Sequence, residues 1–354
     1  MRSPSAATAS IEAGRSLCEP VATQLYRVTR RVTSMNTRPR SGREPAATDS
    51  MEFSEQSAGS VDGGIRPARV SRFGDLYDDA ISVLLDVPVT DRRIETRTGR
   101  THVLTAGDAT APPVVVFQGG NVTNPVTLAW VQELSSEYYL IAPDTPGQPG
   151  WSDPHEPDEY GPWVADVLDD LGIDRAAMIG VSHGGGVLLE AAVHAPDRIA
   201  AAVLVAPAGF GTPLSSALAR IVVLSLAYRV VPRRGLLSRA LAPMFSDPIE
   251  TVDDVVIETV GQALRTGDLQ ASFPGPDDLA DLAAFDTPTL VILSERDPFF
   301  PASRIRPRVE QTLPALVECI TLAGERHFLS LPGQERVTDH IRGFLDERFG
   351  PDEE

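Results

Sequence analysis

The sequence predicts an α/β fold: a mostly parallel central sheet flanked by helices, with a helical segment inserted late in the chain. Three observations carry that prediction. Short runs rich in Val, Ile, Leu and Ala alternate with longer stretches of helical periodicity, the pattern that demands crossover connections and therefore parallel strands. The alternation stops between Val205 and Thr289, where the periodicity is helical throughout. The pentapeptide Gly180-Val181-Ser182-His183-Gly184 joins an apolar run directly to a helical one.

In chain order, Arg69 to Leu85 has the apolar spacing of a helix. Arg92–Thr96 and Thr101–Thr105 form a β-hairpin about Thr98-Gly99-Arg100. Val114–Phe117 is a short buried strand after the Pro112-Pro113 breaker, Pro125–Tyr138 a helix, and Tyr139–Ala142 the next strand. Glu159–Leu171 is a helix that Gly172 ends. Ala176–Ile179 is the strand entering the Gly-rich turn, and Val187–Val193 continues beyond it with helical spacing. Ala200–Val205, Thr289–Leu293 and Val317–Leu322 are the remaining strands, and Val337–Phe349 is a closing helix. The insertion comprises Leu214–Val231, Leu236–Phe245 and Val252–Arg265. The apolar face of its first helix, with Leu218, Ile221, Val222, Leu224 and Leu226, either closes an apolar pocket or covers the core. The expected organisation is a disordered tail (1–65), a first α/β part (66–209), a helical cap (210–285) and a second α/β part (286–349).

Composition narrows the setting. The 354 residues carry a net charge of −18, and every one of the 31 basic Lys/Arg positions is arginine. Residues 1–50 hold eight arginines and four acids, whereas the rest of the chain has a balance of −22. The tail resembles a transit peptide in its Arg- and Ser-rich character, but the change of sign near Met51 favours Met35 or Met51 as the native start. An acidic, lysine-free surface disfavours nucleic acid and anionic membranes and suits high salt, where self-repulsion is screened. Arginine in place of lysine also follows from a GC-rich genome, which leaves the acid excess unexplained. No apolar run reaches membrane-span length. Cys18 and Cys319 lie far apart with no metal-type spacing, which fits a reducing cytoplasm. A small molecule is the expected partner, and neither oligomeric state nor pathway is legible.

The chemistry centres on Ser182. A strand turning sharply into a helix holds a serine hydroxyl proud of a sheet edge, and the glycines admit the strained, crowded backbone. A serine hydroxyl attacks only when a histidine takes its proton and a carboxylate holds that histidine in the right tautomer. Serine, acid and histidine are sought in that order, each partner just past a late strand. After Thr289–Leu293 the chain runs Ser294-Glu295-Arg296-Asp297, and after Val317–Leu322 it runs Ala323-Gly324-Glu325-Arg326-His327. Asp297 and His327 are the expected partners, with Glu295 the competing acid. The loop Ala206-Pro207-Ala208-Gly209 has no carboxylate. His102, His155, His194 and His340 sit in a hairpin, an early loop and helices, and the His183 side chain points away from the serine. Two backbone N–H groups must meet the developing oxyanion. One is expected from His183, the other from Gln118-Gly119-Gly120-Asn121, with Gly120 the first choice and Asn121 the second. Asn121 and Trp151 are the expected substrate contacts. Asn121-Val122-Thr123 also matches a glycosylation sequon, discounted because it lies beside the site.

Taken together, Phe117-Gln118-Gly119-Gly120, Pro143-Asp144-Thr145-Pro146-Gly147 through Ser152, Asp169 to Asp174, the Ser182 pentapeptide and the Asp297 and His327 loops resemble the α/β-hydrolase superfamily, in particular its capped esterase-like branch. The resemblance runs from about Phe73 to Phe349. It implies the α/β-hydrolase fold and catalysis by Ser182, Asp297 and His327 without metal or cofactor. Two positions depart from the family: Gln118 replaces its usual histidine, and Arg326 stands where glycine often precedes the catalytic histidine. A serine nucleophile argues against the dehalogenases and epoxide hydrolases of this fold. The expected function is hydrolysis of a small carboxylic ester or lactone through an acyl-enzyme. A carbon–carbon bond hydrolase, an amidase or peptidase, a cofactor-free perhydrolase and a non-catalytic ligand-binding protein of the same fold remain as alternatives.

Overall fold

The computed structural model describes residues 70–154, 159–213, 215–266 and 273–350, with the backbone alone at 70–72. The expected tail 1–65, both candidate start methionines and His155 lie outside the described residues. Helix α1 (Val70–Leu84) precedes a hairpin of β1 (Val89–Thr96) and β2 (Gly99–Ala106). Then follow β3 (Pro113–Phe117), α2 (Asn124–Val131), β4 (Tyr139–Pro143), α3 (Tyr160–Leu171), β5 (Ala176–Val181), α4 (His183–His194) and β6 (Ile199–Val205). Three helices come next, α5 (Ser216–Val230), α6 (Arg234–Leu241) and α7 (Asp254–Thr266), and no strand among the described residues interrupts them. The chain closes with β7 (Thr289–Ser294), α8 (Ala302–Thr312), β8 (Leu316–Leu322) and α9 (Leu331–Arg348).

The eight strands form one sheet in the order β1-β2-β4-β3-β5-β6-β7-β8. The two hairpin strands pair antiparallel, and β3 to β8 are mutually parallel. Every residue of β5, β6 and β7 is buried, as a sheet covered on both faces requires. One apolar cluster lies on each face, Trp163, Phe117 and Phe285 on one side and Leu140, Ile179 and Ile341 on the other. Each such aliphatic or aromatic side chain contributes roughly 1.5–3 kcal/mol by leaving water.

A third apolar cluster is built by the helices between β6 and β7 together with α1 and the start of α2. Ile221 and Tyr228 of α5 face into it. Val222 and Leu226 do not: they turn outward at 48% and 43% exposure, with Val223 and Val230 beside them. Apolar residues of α5 fall on its exposed side as well as its covered one, so periodicity could not say which side would be buried.

Three elements differ from the sequence reading. Helix α8 was not anticipated because it carries Pro307 in its interior and buries only Ala302, Ile305 and Val309. Helix α9 begins at Leu331, well before Val337, because the Ser330 hydroxyl accepts the Gly333 N–H at 3.1 Å and Pro332 suits the first turn. The expected helix Pro125–Tyr138 divides into α2 and a short 3-10 turn, Gln132–Ser136. No helix among the described residues is long and apolar enough to cross a membrane.

Candidate active site

Strand order reverses beside β3: the chain leaves β3 for β4 on one side and returns as β5 on the other. In open α/β sheets the crevice for ligands opens at that point, beyond the carboxyl ends of the strands. Two of the loops singled out above leave from it, Gln118–Asn121 after β3 and Ser182 after β5.

Ser182 sits between β5 and α4 with φ 52° and ψ −113°, a conformation an L-residue rarely adopts. Its backbone is held there on both sides: its N–H donates to Val205 at 2.9 Å, and its carbonyl accepts from Gly185 and Ala208, each at 2.9 Å. The glycines are compelled by close approach. A Cβ on Gly180 would lie 2.5 Å from the Gly184 carbonyl oxygen, and one on Gly184 would strike the Phe117 carbonyl. The result places the serine at the N-terminus of α4, where free N–H groups and the helix dipole favour negative charge.

The three expected side chains meet. His327 Nε2 lies 2.9 Å from Ser182 Oγ, and His327 Nδ1 lies 2.7 Å from Asp297 Oδ2. The other carboxylate oxygen of Asp297 accepts the N–H groups of Phe299 at 2.7 Å and Phe300 at 3.0 Å. Asp297 can therefore only accept from His327, so Nδ1 carries the proton and Nε2 accepts from the serine hydroxyl. Glu295, the competing acid, is exposed and accepts the Gly324 N–H at 2.7 Å. Phe299, Phe300 and Phe328 ring the imidazole at centroid separations of 4.9, 5.8 and 6.0 Å. Ser182 is only 7% exposed and the His327 side chain 10%.

The histidine loop is fastened to the stretch that joins α6 to α7. Phe328 pairs with Phe245 in an isolated parallel bridge, and their rings stack at 4.3 Å. The Arg326 N–H donates to Ser246 Oγ at 2.7 Å, and its guanidinium donates to the Pro243 carbonyl at 3.0 Å. Arginine in place of glycine here is thus a tie between the histidine loop and the helical insertion.

On the other side of the serine, no acceptor among the described residues meets the Gly120 N–H, and His183, as first residue of α4, has no intrahelical acceptor for its own. The Asn121 N–H is taken: it donates to Gln148 Oε1 at 2.9 Å, with Asn121 at φ 62° and its side chain exposed. Gln118, the other departure, laces this region together. Its amide donates to the carbonyls of Val122 (2.6 Å) and Pro149 (3.1 Å) and accepts from the Thr145 N–H (2.9 Å). Trp151 packs against Gly74 and Tyr77 of α1, and its backbone N–H donates to Asp144 Oδ2 at 2.7 Å. Asp144 is a buried hub that also accepts from Tyr77, Asn124 and His102; burial and the Asp144 charge raise the Tyr77 phenol well above its ordinary value.

Gln148, Arg326 and Ser246 carry contacts that the sequence reading did not assign. Arg326 was noted only as a departure, and that departure was the available signal. Gln148 gave none, lying in a Pro- and Gly-rich loop. Among the described residues no group of three or more His, Cys, Asp and Glu is placed to hold a metal ion.

A model of the alpha/beta hydrolase family matches residues 114–339. The "Uncharacterized carboxylesterase nap" of Bacillus subtilis (strain 168) is 32% identical over 141 residues, 39% of this chain and 47% of that protein. Carboxylesterase YbfK of the same organism is 29% identical over 164 residues, 45% of this chain and 51% of that protein. The chain thus spans about half the length of these curated relatives. The crystal structure of naproxen esterase (carboxylesterase NP) from Bacillus subtilis superposes with a TM-score of 0.67 at 23% identity, covering 79% of this chain and 99% of that chain, a likeness of fold.

Proposed function

The chain belongs to the alpha/beta hydrolase family, and within it we propose a serine hydrolase that cleaves a small carboxylic ester or lactone. The observation that carries this reading is the unbroken chain from Ser182 Oγ through His327 to Asp297, with contacts of 2.9 and 2.7 Å. In the proposed reaction His327 Nε2 takes the serine proton as Oγ bonds to the carbonyl carbon. The carbonyl π-electrons move to oxygen, and that oxyanion is received by the N–H groups of Gly120 and His183. The imidazolium, facing the Asp297 carboxylate, gives its proton to the departing alkoxide as the C–O bond breaks. Water, deprotonated by His327, then attacks the acyl-enzyme, and the acid leaves as Ser182 regains its proton.

The narrow exposure of Ser182 and the three phenylalanines around His327 support a small ester with an apolar group beside the histidine. Residues 210–285 would act as the cap over that site, and the carboxylesterase relatives support ester chemistry over its rivals. A fluorophosphonate probe tests the reading. Wild-type protein is expected to be labelled on Ser182, and labelling is expected to vanish in His327→Ala, with ester turnover falling about 10⁴-fold or more. A series of p-nitrophenyl esters of increasing chain length, run in molar salt, should show its highest kcat/KM on short acyl groups. Ligand binding without labelling would instead make this a binding protein. Turnover of anilides or carbon–carbon substrates in preference to esters would reassign the bond cleaved.

A further inference from the structure

We propose that Gln148 is the positioning residue of the oxyanion pocket: its single carboxamide joins the two loops that supply the N–H groups and sets the tautomer of His183. The proposal rests on the functional reading above.

Gln148 reaches both loops at once. Its Oε1 accepts the Asn121 N–H at 2.9 Å, one residue past Gly120, and its Nε2 lies 3.2 Å from Nε2 of His183, the residue after the nucleophile. A backbone N–H can only donate, which assigns the amide oxygen to Asn121 and turns the amide nitrogen to the imidazole. His183 Nε2 must then accept, and the ring proton sits on Nδ1. His183 is 1% exposed, and burial holds its pKa down to about 3, so the ring is neutral and only its tautomer is open to choice. Among the described residues Nδ1 has no hydrogen-bond partner, and the ring meets that of Tyr160 edge-on at 5.7 Å. Among the described residues nothing on the Nδ1 side selects the tautomer; the Gln148 amide does.

The same side chain supports the backbone geometry. Asn121 takes φ 62°, a left-handed conformation that asparagine tolerates better than most L-residues, and in that turn its N–H meets Gln148 Oε1. A Cβ built on Gly120 would stand 3.3 Å from His183 Cβ and 3.8 Å from Gln148 Oε1, so glycine, glutamine and histidine pack as one unit. The strut is itself braced. The Gln148 N–H donates to the Thr145 carbonyl at 3.0 Å, Gln118 grips Thr145 and Pro149, and the Tyr160 hydroxyl donates to Pro146 at 3.2 Å. Leucine has the bulk without the bonds. Glutamate keeps the acceptor for Asn121 but offers no donor, so His183 must move its proton to Nε2.

The test uses Gln148→Leu and Gln148→Glu in the full chain. Gln148→Leu is expected to lower kcat on p-nitrophenyl acetate by about 10- to 100-fold, somewhat less than deletion of an oxyanion donor, with KM within about twofold. The inhibition constant of a trifluoromethyl ketone analogue should rise by the same factor, while that of the product acid, a ground-state ligand, stays put. Gln148→Glu keeps the acceptor for Asn121 but sets a carboxylate beside the developing oxyanion, so its kcat is expected to stay below that of the wild type. Imidazole nitrogen NMR should find His183 protonated on Nδ1 in the wild type and on Nε2 in Gln148→Glu. A Gln148→Leu enzyme with kcat within twofold of wild type, or one that weakens the product acid and the ketone equally, overturns the proposal. The NMR arm separates this failure from that of the functional reading. Should the wild type turn over no ester, catalysis by this site is lost, yet the tautomer switch still shows the strut. An unchanged tautomer removes the strut even in a working esterase.

Discussion

Asp297 shows how much one carboxylate does when both its oxygens are committed. One accepts the Phe299 and Phe300 N–H groups and the other accepts His327 Nδ1–H. In Asp297→Asn the remaining carbonyl oxygen is claimed by the two backbone donors, so the amide nitrogen faces the histidine. The imidazole would then have to present a lone pair at Nδ1 and a proton at Nε2, the wrong arrangement for a base. A fall in kcat of roughly 10³–10⁴-fold is expected, with KM little changed. A variant retaining a tenth of wild-type kcat would show that the carboxylate is dispensable for orientation.

At the scale of elements, the histidine loop is held from three sides: by the inserted segment through Phe245, Ser246 and Pro243, by the Asp297 loop, and by the start of α9. Glu325, two residues before His327, carries the last of these. Its carboxylate accepts the Ser330 N–H and hydroxyl at 2.9 and 2.7 Å and pairs with Arg336 at 2.8 Å. Burial alone would favour the neutral acid, but the bonds from Ser330 and Ser246 and the Arg336 charge outweigh it and hold the carboxyl below its ordinary value of 4.5. The unfolded chain therefore binds this proton more tightly than the folded one. The stabilisation is fully present above the ordinary carboxylate range and is lost as pH falls through the folded value. Glu325→Gln should lower Tm at neutral pH and flatten its decline below about pH 5, as followed by thermal melts across pH. A parallel decline in both proteins would refute this role.

The whole molecule carries a charge of −18 with arginine as its sole basic side chain apart from histidine. Described ion pairs such as Arg97–Asp166 and Arg198–Asp169 are partly exposed and contribute at most about 1 kcal/mol each, too little to offset long-range repulsion among the surplus acids. Screening shortens the reach of that repulsion from roughly 10 Å at 0.1 M salt to about 3 Å at 1 M. Tm is expected to fall by several degrees when molar salt is dialysed to tens of millimolar. A melting point independent of salt would mean that the acid excess is spaced widely enough to be harmless.

What could be seen in the sequence was what depends on near neighbours. Strands such as Ala176–Val181 and helices such as Tyr160–Leu171 follow from local periodicity and end signals, and the Ser182 turn follows from glycines that steric crowding requires. The order of serine, acid and histidine located Asp297 and His327 because each falls just past a strand. Helix α8 was hidden by Pro307, and the outward turn of Val222 and Leu226 by a helix whose apolar residues are not confined to one side. The tertiary structure alone decided which side of α5 is covered, that Arg326 ties the histidine loop to the insertion, and that Gln148 spans two loops. Those outcomes rest on groups far apart in the chain meeting at fixed distances, and hydrogen bonds and packing across such separations leave no periodic trace in the sequence.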